Sequence, residues 1–245
     1  MTVTNDHDIL RLNKINLDEC KRGVLVLEDL KQEVVDCALR AERIGLCKHR
    51  SGNFSIRDPK TGYICITPTG MDREEMSYHD IVVIDREAKV IEAKERLRPT
   101  SESLMHLAVY KARSDVFAIA HTHSRFATTF AILKKTIPAI VYEISGLGCK
   151  EGYVPVAPYG RPGTPELAQS VIAPLQISDV ALMESHGVIA VDKVLKEALL
   201  KASYVEELAE IYYHALVVIG KEPPVVPKRE LEKWKYPVEI TLLAE

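Results

Sequence analysis

The chain has 245 residues, of which 47% are hydrophobic and 27% charged, with a formal net charge of -3. That length and apolar content can bury a sizeable core. The near-neutral balance excludes the electrostatic footprint of a nucleic-acid binder or of a protein drawn to anionic membranes. Five scattered cysteines (20, 37, 47, 65 and 149) form no CxxC pair, which predicts reduced, buried thiols and a cytoplasmic setting. The start, "MTVTNDHDILRLNKIN", has no apolar h-region, and no stretch approaches the ~18 apolar residues of a membrane span. A soluble intracellular globular protein is expected.

In chain order, residues 1–26 have weak periodicity and read as an N-terminal extension. "LEDLKQEVVDCALRAERIGL" spaces Leu30, Val34, Cys37, Ala38 and Ala41 three and four apart, an amphipathic helix ending near Gly45. "GNFSIR", "YICITPTG" and "DIVVIDREAKVIEA" alternate β-branched residues with Gly, Pro and Asp, and read as strands. "TSESLMHLAVYKARS" resumes helical spacing with Thr100 or Ser101 as N-cap and Glu102 in the first turn. "VFAIAHTHS" is a predicted strand, "RFATTFAILKK" a helix and "AIVYEIS" another strand. "TPELAQSVIAPLQ" predicts one helix opened by Pro165, and "DVALMESHGVIAVD" two short strands meeting at His186-Gly187. Residues 194–219 form a long apolar-faced helix, and a tail over 221–245 begins as a Pro-rich connection. Strands and helices alternate without a break in composition, so 27–220 is expected to be a single α/β domain.

The stretch "AHTHSRFATTFA" places His121 and His123 one residue apart after an apolar, β-favouring run. Alternate residues of a strand point to one side, whereas on a helix they would stand about 200° apart at roughly 100° per residue. Two imidazoles on one side can share a metal ion, but a catalytic zinc usually takes a third protein ligand. His186, before a glycine in "MESHGVIAV", is the candidate. Taken alone, a histidine pair at a strand end and a turn histidine are also compatible with ordinary water or backbone partners.

"GNFSIR", "ITPTG", "TSES-x-x-H", "HTHS" and "ESHGVIAVD" resemble, in order and spacing, the zinc-dependent class II aldolase and epimerase family. The resemblance runs from about residue 28 to 220. It implies Zn²⁺ held by His121, His123 and His186, with Glu102 as a further ligand when substrate is absent. It also implies a central, largely antiparallel sheet flanked by helices, and a homotetramer with active sites at subunit boundaries.

The same resemblance makes Glu102 the catalytic acid/base. A carboxylate near a helix start otherwise needs no purpose beyond the helix dipole, worth about 0.3–1 kcal/mol. Three neutral imidazoles leave a zinc its full double charge, which suits stabilising an enediolate left by carbon–carbon cleavage. Gly52-Asn53, Thr69-Gly70 and Thr100-Ser101 match the family's phosphate contacts, although each is also an ordinary turn or cap. Together they imply a sugar-phosphate substrate. Tyr142 matches a tyrosine that reaches a neighbouring subunit's site and handles the aldehyde oxygen, and Tyr236 a tail tyrosine that closes over substrate.

The implied activity is reversible cleavage of a ketose 1-phosphate, such as L-fuculose 1-phosphate or a 5-deoxypentulose 1-phosphate, to dihydroxyacetone phosphate and an aldehyde. The alternatives are a 4-epimerase acting on L-ribulose 5-phosphate, to which "HTHSR-x-AT" is similar, and dehydratase or decarboxylase relatives. A non-catalytic adducin-head-like interaction module is a further one. Glu102, where the epimerase pattern has aspartate, and "IPAIVYEIS" favour the aldolase.

Overall fold

A computed structural model describes residues 27–233. The first helix, α1 (Glu28–Arg43), buries Val34, Val35, Cys37, Ala38 and Ala41 along one stripe and turns out at Gly45. Four strands follow: β1 (Asn53–Arg57), β2 (Ile64–Ile66), β3 (Val82–Ile84) and β4 (Val90–Glu92). Next come α2 (Ser103–Ala112), β5 (Ala118–Thr122), α3 (Arg125–Ile132) and β6 (Ile137–Pro138). After these lie a 3-10 helix (Tyr142–Leu147), β7 (Tyr153–Val154), β8 (Val156–Ala157), α4 (Pro165–Ser170) and α5 (Ile172–Ile177). The hairpin β9 (Val180–Met183) and β10 (Gly187–Asp192) leads into α6 (Leu195–Ile219), and α7 (Lys228–Lys233) ends the described chain.

Eight strands form one sheet in the order β4-β3-β2-β1-β5-β10-β9-β8, antiparallel at every pairing except β8 with β9. Strands β6 and β7 pair separately. Pleating sends alternate residues to opposite faces. Phe54, Ala118 and Ala120 therefore join the core beneath α1, α3 and α6, while Ile119, Ile189 and Val191 join the core beneath α2, α4 and α5. This is the expected α/β domain with a largely antiparallel sheet between helical layers.

Three local expectations differ. The predicted strand "AIVYEIS" is β6 followed by a 3-10 helix that begins at Tyr142. "TPELAQSVIAPLQ" breaks into α4 and α5 at Val171, because the ring of Pro174 would clash with the carbonyl four residues earlier in an unbroken helix. Helix α2 starts at Ser103, so Glu102 occupies the N-cap rather than the first turn, and neither Thr100 nor Ser101 is the cap. Thr100 instead closes the preceding turn, its carbonyl accepting from the Ser103 amide and hydroxyl. The tail docks through the Val226 amide on the Ala139 carbonyl and through Leu231 on the core. Cys37, Cys47 and Cys65 are buried free thiols and Cys149 is half-buried, whereas Cys20 lies outside the described residues.

The β9–β10 turn presses against β5. A Cβ on Gly187 would lie 2.2 Å from the Thr122 carbonyl oxygen, so no larger residue fits without moving a central strand. Gly187→Ala is expected to lower unfolding free energy by about 2–3 kcal/mol, as overpacking in a dense core does. Denaturant melts would read this, and an unchanged midpoint would show that the two strands can separate freely.

Candidate active site

Register on the central strands assembles the site. Asn53 of β1 lies directly opposite His121 of β5, which in turn lies opposite Ile189 of β10. Directly opposed residues share a face, so Asn53 and His121 both look toward α2. His123 follows one residue beyond the end of β5, its amide held by the Leu46 carbonyl at 3.0 Å. His186 sits in the β9–β10 turn, where Ser185 takes a positive φ of 54° and Gly187 permits the close approach described above. The three histidines, far apart in sequence, meet with candidate ligand nitrogens all within 4.8 Å of one another.

The orientation of His121 follows from its surroundings. Its Nδ1–H donates to the Val188 carbonyl at 2.8 Å, which turns Nε2 into the cluster. That nitrogen lies 3.0 Å from His123 Nε2 and 3.2 Å from Glu102 Oε2. The other carboxylate oxygen, Oε1, lies 3.2 Å from His186 Nε2, yet it is buried and makes no hydrogen bond. Burial first, and then His121, depress His123 to about 3 and His186 to about 4, which keeps both imidazoles neutral. For Glu102, burial works upward, but attraction to His121 and His186 and the Asn53 amide outweigh it. The carboxyl group is held well below the usual range.

Acceptors converging in a desolvated space repel unless a cation sits among them. Three imidazoles and one carboxylate, with an orphaned carboxylate oxygen, fit a divalent metal ion. The structure brings together all four residues expected as ligands.

A cavity of about 280 Å³ opens beside this cluster. Gly52, Asn53, Thr69, Gly70, Thr100 and Ser101, all six residues expected at a phosphate, line it together with Glu102, His123 and His186. Gly52 and Gly70 take positive φ of 76° and 68°, as tight anion-binding loops require. Behind the first loop the buried Arg73 guanidinium donates to the carbonyls of Ser51 and Gly52. A larger groove of about 710 Å³, bounded by Arg86, Leu104, Leu107 and Lys111, holds none of the imidazoles and is not this site.

Tyr142 does not line the cavity of its own chain. It is 56% exposed at the start of the 3-10 helix. Tyr236 lies outside the described residues. Two residues escaped the sequence reading. Arg50 lines the cavity rim, donating to the Gly70 carbonyl at 3.1 Å, and a cation beside the "SGN" turn was the available signal. His106, visible only as the last letter of "TSES-x-x-H", is wholly buried and bonded to Asn53 at 2.6 Å.

Comparison with known proteins agrees with this geometry. Residues 32–213 match the family described as the Class II Aldolase and Adducin N-terminal domain. The L-fuculose phosphate aldolase of Escherichia coli (strain K12) is 37% identical over 210 residues, covering 84% of this chain and 94% of that protein. A 5-methylthioribulose-1-phosphate/5-deoxyribulose-1-phosphate aldolase of Rhodospirillum rubrum is 34% identical, covering 83% of this chain and 88% of its own. Among solved structures, an L-fuculose 1-phosphate aldolase superposes with a TM-score of 0.80 at 35% identity, over 85% of this chain and 95% of that one. With the fold and most of its length in common with these proteins, the chain belongs to the class II aldolase family.

Proposed function

We propose that the protein is a zinc-dependent aldolase that reversibly cleaves a ketose 1-phosphate to dihydroxyacetone phosphate and an aldehyde. The observation that carries this reading is the meeting of His121, His123, His186 and Glu102 beside a cavity lined with phosphate-suited loops. The aldolase names of the relatives point to ketose 1-phosphates with a deoxygenated or methylated end, such as L-fuculose 1-phosphate or a 5-deoxypentulose 1-phosphate.

His121, His123 and His186 would hold the zinc, with Glu102 completing the set in the absence of substrate. Bound there, the metal would supply Lewis-acid stabilisation of negative charge developing at the substrate's ketone oxygen. The remaining work falls to the chain. Thr69, Gly70, Thr100, Ser101, Gly52 and Asn53 receive the phosphate on backbone amides and hydroxyls, and Arg50 adds a positive charge at the rim. The bond between the carbon next to the ketone and the following carbinol carbon breaks, and that carbinol gives its hydroxyl proton to the Glu102 carboxylate and leaves as the aldehyde. Glu102 then delivers that proton to the other carbon, and in the synthetic direction carries it back. Its buried position on the same cavity as those loops supports this role.

Tyr142, exposed on its own chain, is assigned to the aldehyde oxygen in a neighbouring subunit's site. Assembly as a homotetramer is supported by that exposure and by apolar residues left uncovered at the end of α6, where Val217 is 64% and Val218 87% exposed. Residues 27–220 are read as the catalytic domain, with 1–26 an extension and 221–245 a tail. A cytoplasmic location is supported by the free cysteines and by the absence, among the described residues, of any helix long and apolar enough to cross a membrane. An adducin-head-like role without catalysis is disfavoured, because a scaffold has no use for three imidazoles and a carboxylate converging on one point.

Two outcomes test the reading. Glu102→Gln should leave the fold and bound zinc in place while kcat for ketose 1-phosphate cleavage falls by about 10²–10⁴-fold, the usual worth of a general acid/base. Stopped assays and elemental analysis would measure both, and full turnover would exclude Glu102 from proton transfer. Chelation, or His123→Ala, should abolish zinc and cleavage together while the melting curve stays cooperative. NMR of the products then separates the readings. Dihydroxyacetone phosphate with an aldehyde identifies the aldolase, whereas ribulose 5-phosphate passing to xylulose 5-phosphate without cleavage would identify the epimerase that "HTHSR-x-AT" resembles.

A further inference from the structure

A buried chain of hydrogen bonds runs from Glu102 away from the cavity, between α2 and β1. Asn53 Nδ2 lies 2.7 Å from Glu102 Oε2. Asn53 Oδ1 lies 2.6 Å from His106 Nε2, His106 Nδ1 lies 2.7 Å from Ser55 Oγ, and Ser55 Oγ lies 2.7 Å from the Tyr110 hydroxyl. Every member is buried: His106 and Ser55 are 0% exposed, Tyr110 4%, and Asn53 and Glu102 5%.

The direction of each bond follows from the carboxylate outward. An ionised Glu102 only accepts, so the Asn53 amide must turn its NH₂ toward it. The amide oxygen then faces His106, which must carry its proton on Nε2. Neutral imidazole has one donor and one acceptor, so Nδ1 accepts from the Ser55 hydroxyl, whose oxygen in turn accepts from Tyr110. Burial supports the neutral form, pushing His106 down to about 3. The other tautomer would rotate the amide and set its oxygen against a carboxylate.

We infer that His106 is a positioning residue for the reaction, acting through Asn53 to tie down Glu102 Oε2 and leave Oε1 as the oxygen that carries the proton. This rests on the acid/base reading of Glu102. Oε1 is the oxygen without a hydrogen-bond partner, and it is the one beside His186 at the cavity. Without the Nε2–H donor, the Asn53 amide is free to turn, and the carboxylate loses the bond that holds its plane. Partners that orient an active group in this way are commonly worth 10–100-fold in activity.

The first test uses the wild-type, zinc-loaded protein with ¹⁵N-labelled histidine. Long-range ¹H–¹⁵N spectra at neutral pH should show the His106 signal, identified by its loss in His106→Gln, with Nε2 protonated and Nδ1 bare. The reverse tautomer overturns the proposal whatever the variants do. The second test is kinetic. His106→Leu, checked for a cooperative melt and full zinc content, should lose about 10–100-fold in kcat with KM changed less than twofold. His106→Gln, which keeps an amide donor for Asn53, should recover most of that loss. Added to Glu102→Gln, the leucine variant should cause no further loss. An unchanged kcat, or the same loss repeated in the Glu102→Gln background, would overturn the positioning role. Full activity of Glu102→Gln alone would instead overturn the acid/base reading, while the tautomer result would still stand or fall by itself.

Discussion

The docking of α2 onto β1 is the constraint on which the site depends. Residues two apart on a strand advance ~6.8 Å, and residues four apart on a helix ~6 Å. Asn53 and Ser55 on the strand can therefore interleave with Glu102, His106 and Tyr110 spaced four apart along the helix and its cap. The resulting bonds run without a break from the protein interior to the cavity. A shift of one residue in β1 would send Asn53 and Ser55 to the opposite core and leave His106 with no partner.

That same register sets the histidine cluster. Asn53 pairs with His121 across the β1–β5 ladder, so the carboxylate that Asn53 holds is brought against the imidazole that β5 presents. Burying polar groups in this way is costly unless each is satisfied. The interior end of the network meets that condition within the protein, through Ser55 and Tyr110. The cavity end leaves Glu102 Oε1 without a hydrogen-bond partner beside three imidazoles, a requirement that a cation would meet. Stability is concentrated at one end of the network and reactivity at the other.

Much of this was legible residue by residue. The two-residue spacing of His121 and His123 places both rings together only on an extended backbone, and the apolar lead-in "VFAIA" predicted that backbone. His186 was legible through the glycine after it, and the cavity-lining turns at Gly52, Thr69 and Thr100 through their Gly, Thr and Ser content. Tyr142 was misread locally. Its β-branched neighbours resemble a strand, yet β6 ends at Pro138 and the backbone tightens into a 3-10 helix that leaves the tyrosine outside. His106 was the larger omission. A lone histidine on an apolar helix looks like filler, because nothing local reveals that a strand fifty residues earlier offers it an asparagine and a serine.

The sequence by itself determined which chemistry the chain can do, because imidazoles, carboxylates, glycines and hydroxyls declare their acceptors, donors and backbone freedom wherever they stand. It also determined most of the elements, since hydrophobic period is a local property. Only the tertiary structure decided which acceptors meet, which carboxylate oxygen is tied and which is left open, and which tautomer His106 holds. Those are properties of register and packing, and they depend on neighbours that the chain order keeps far apart.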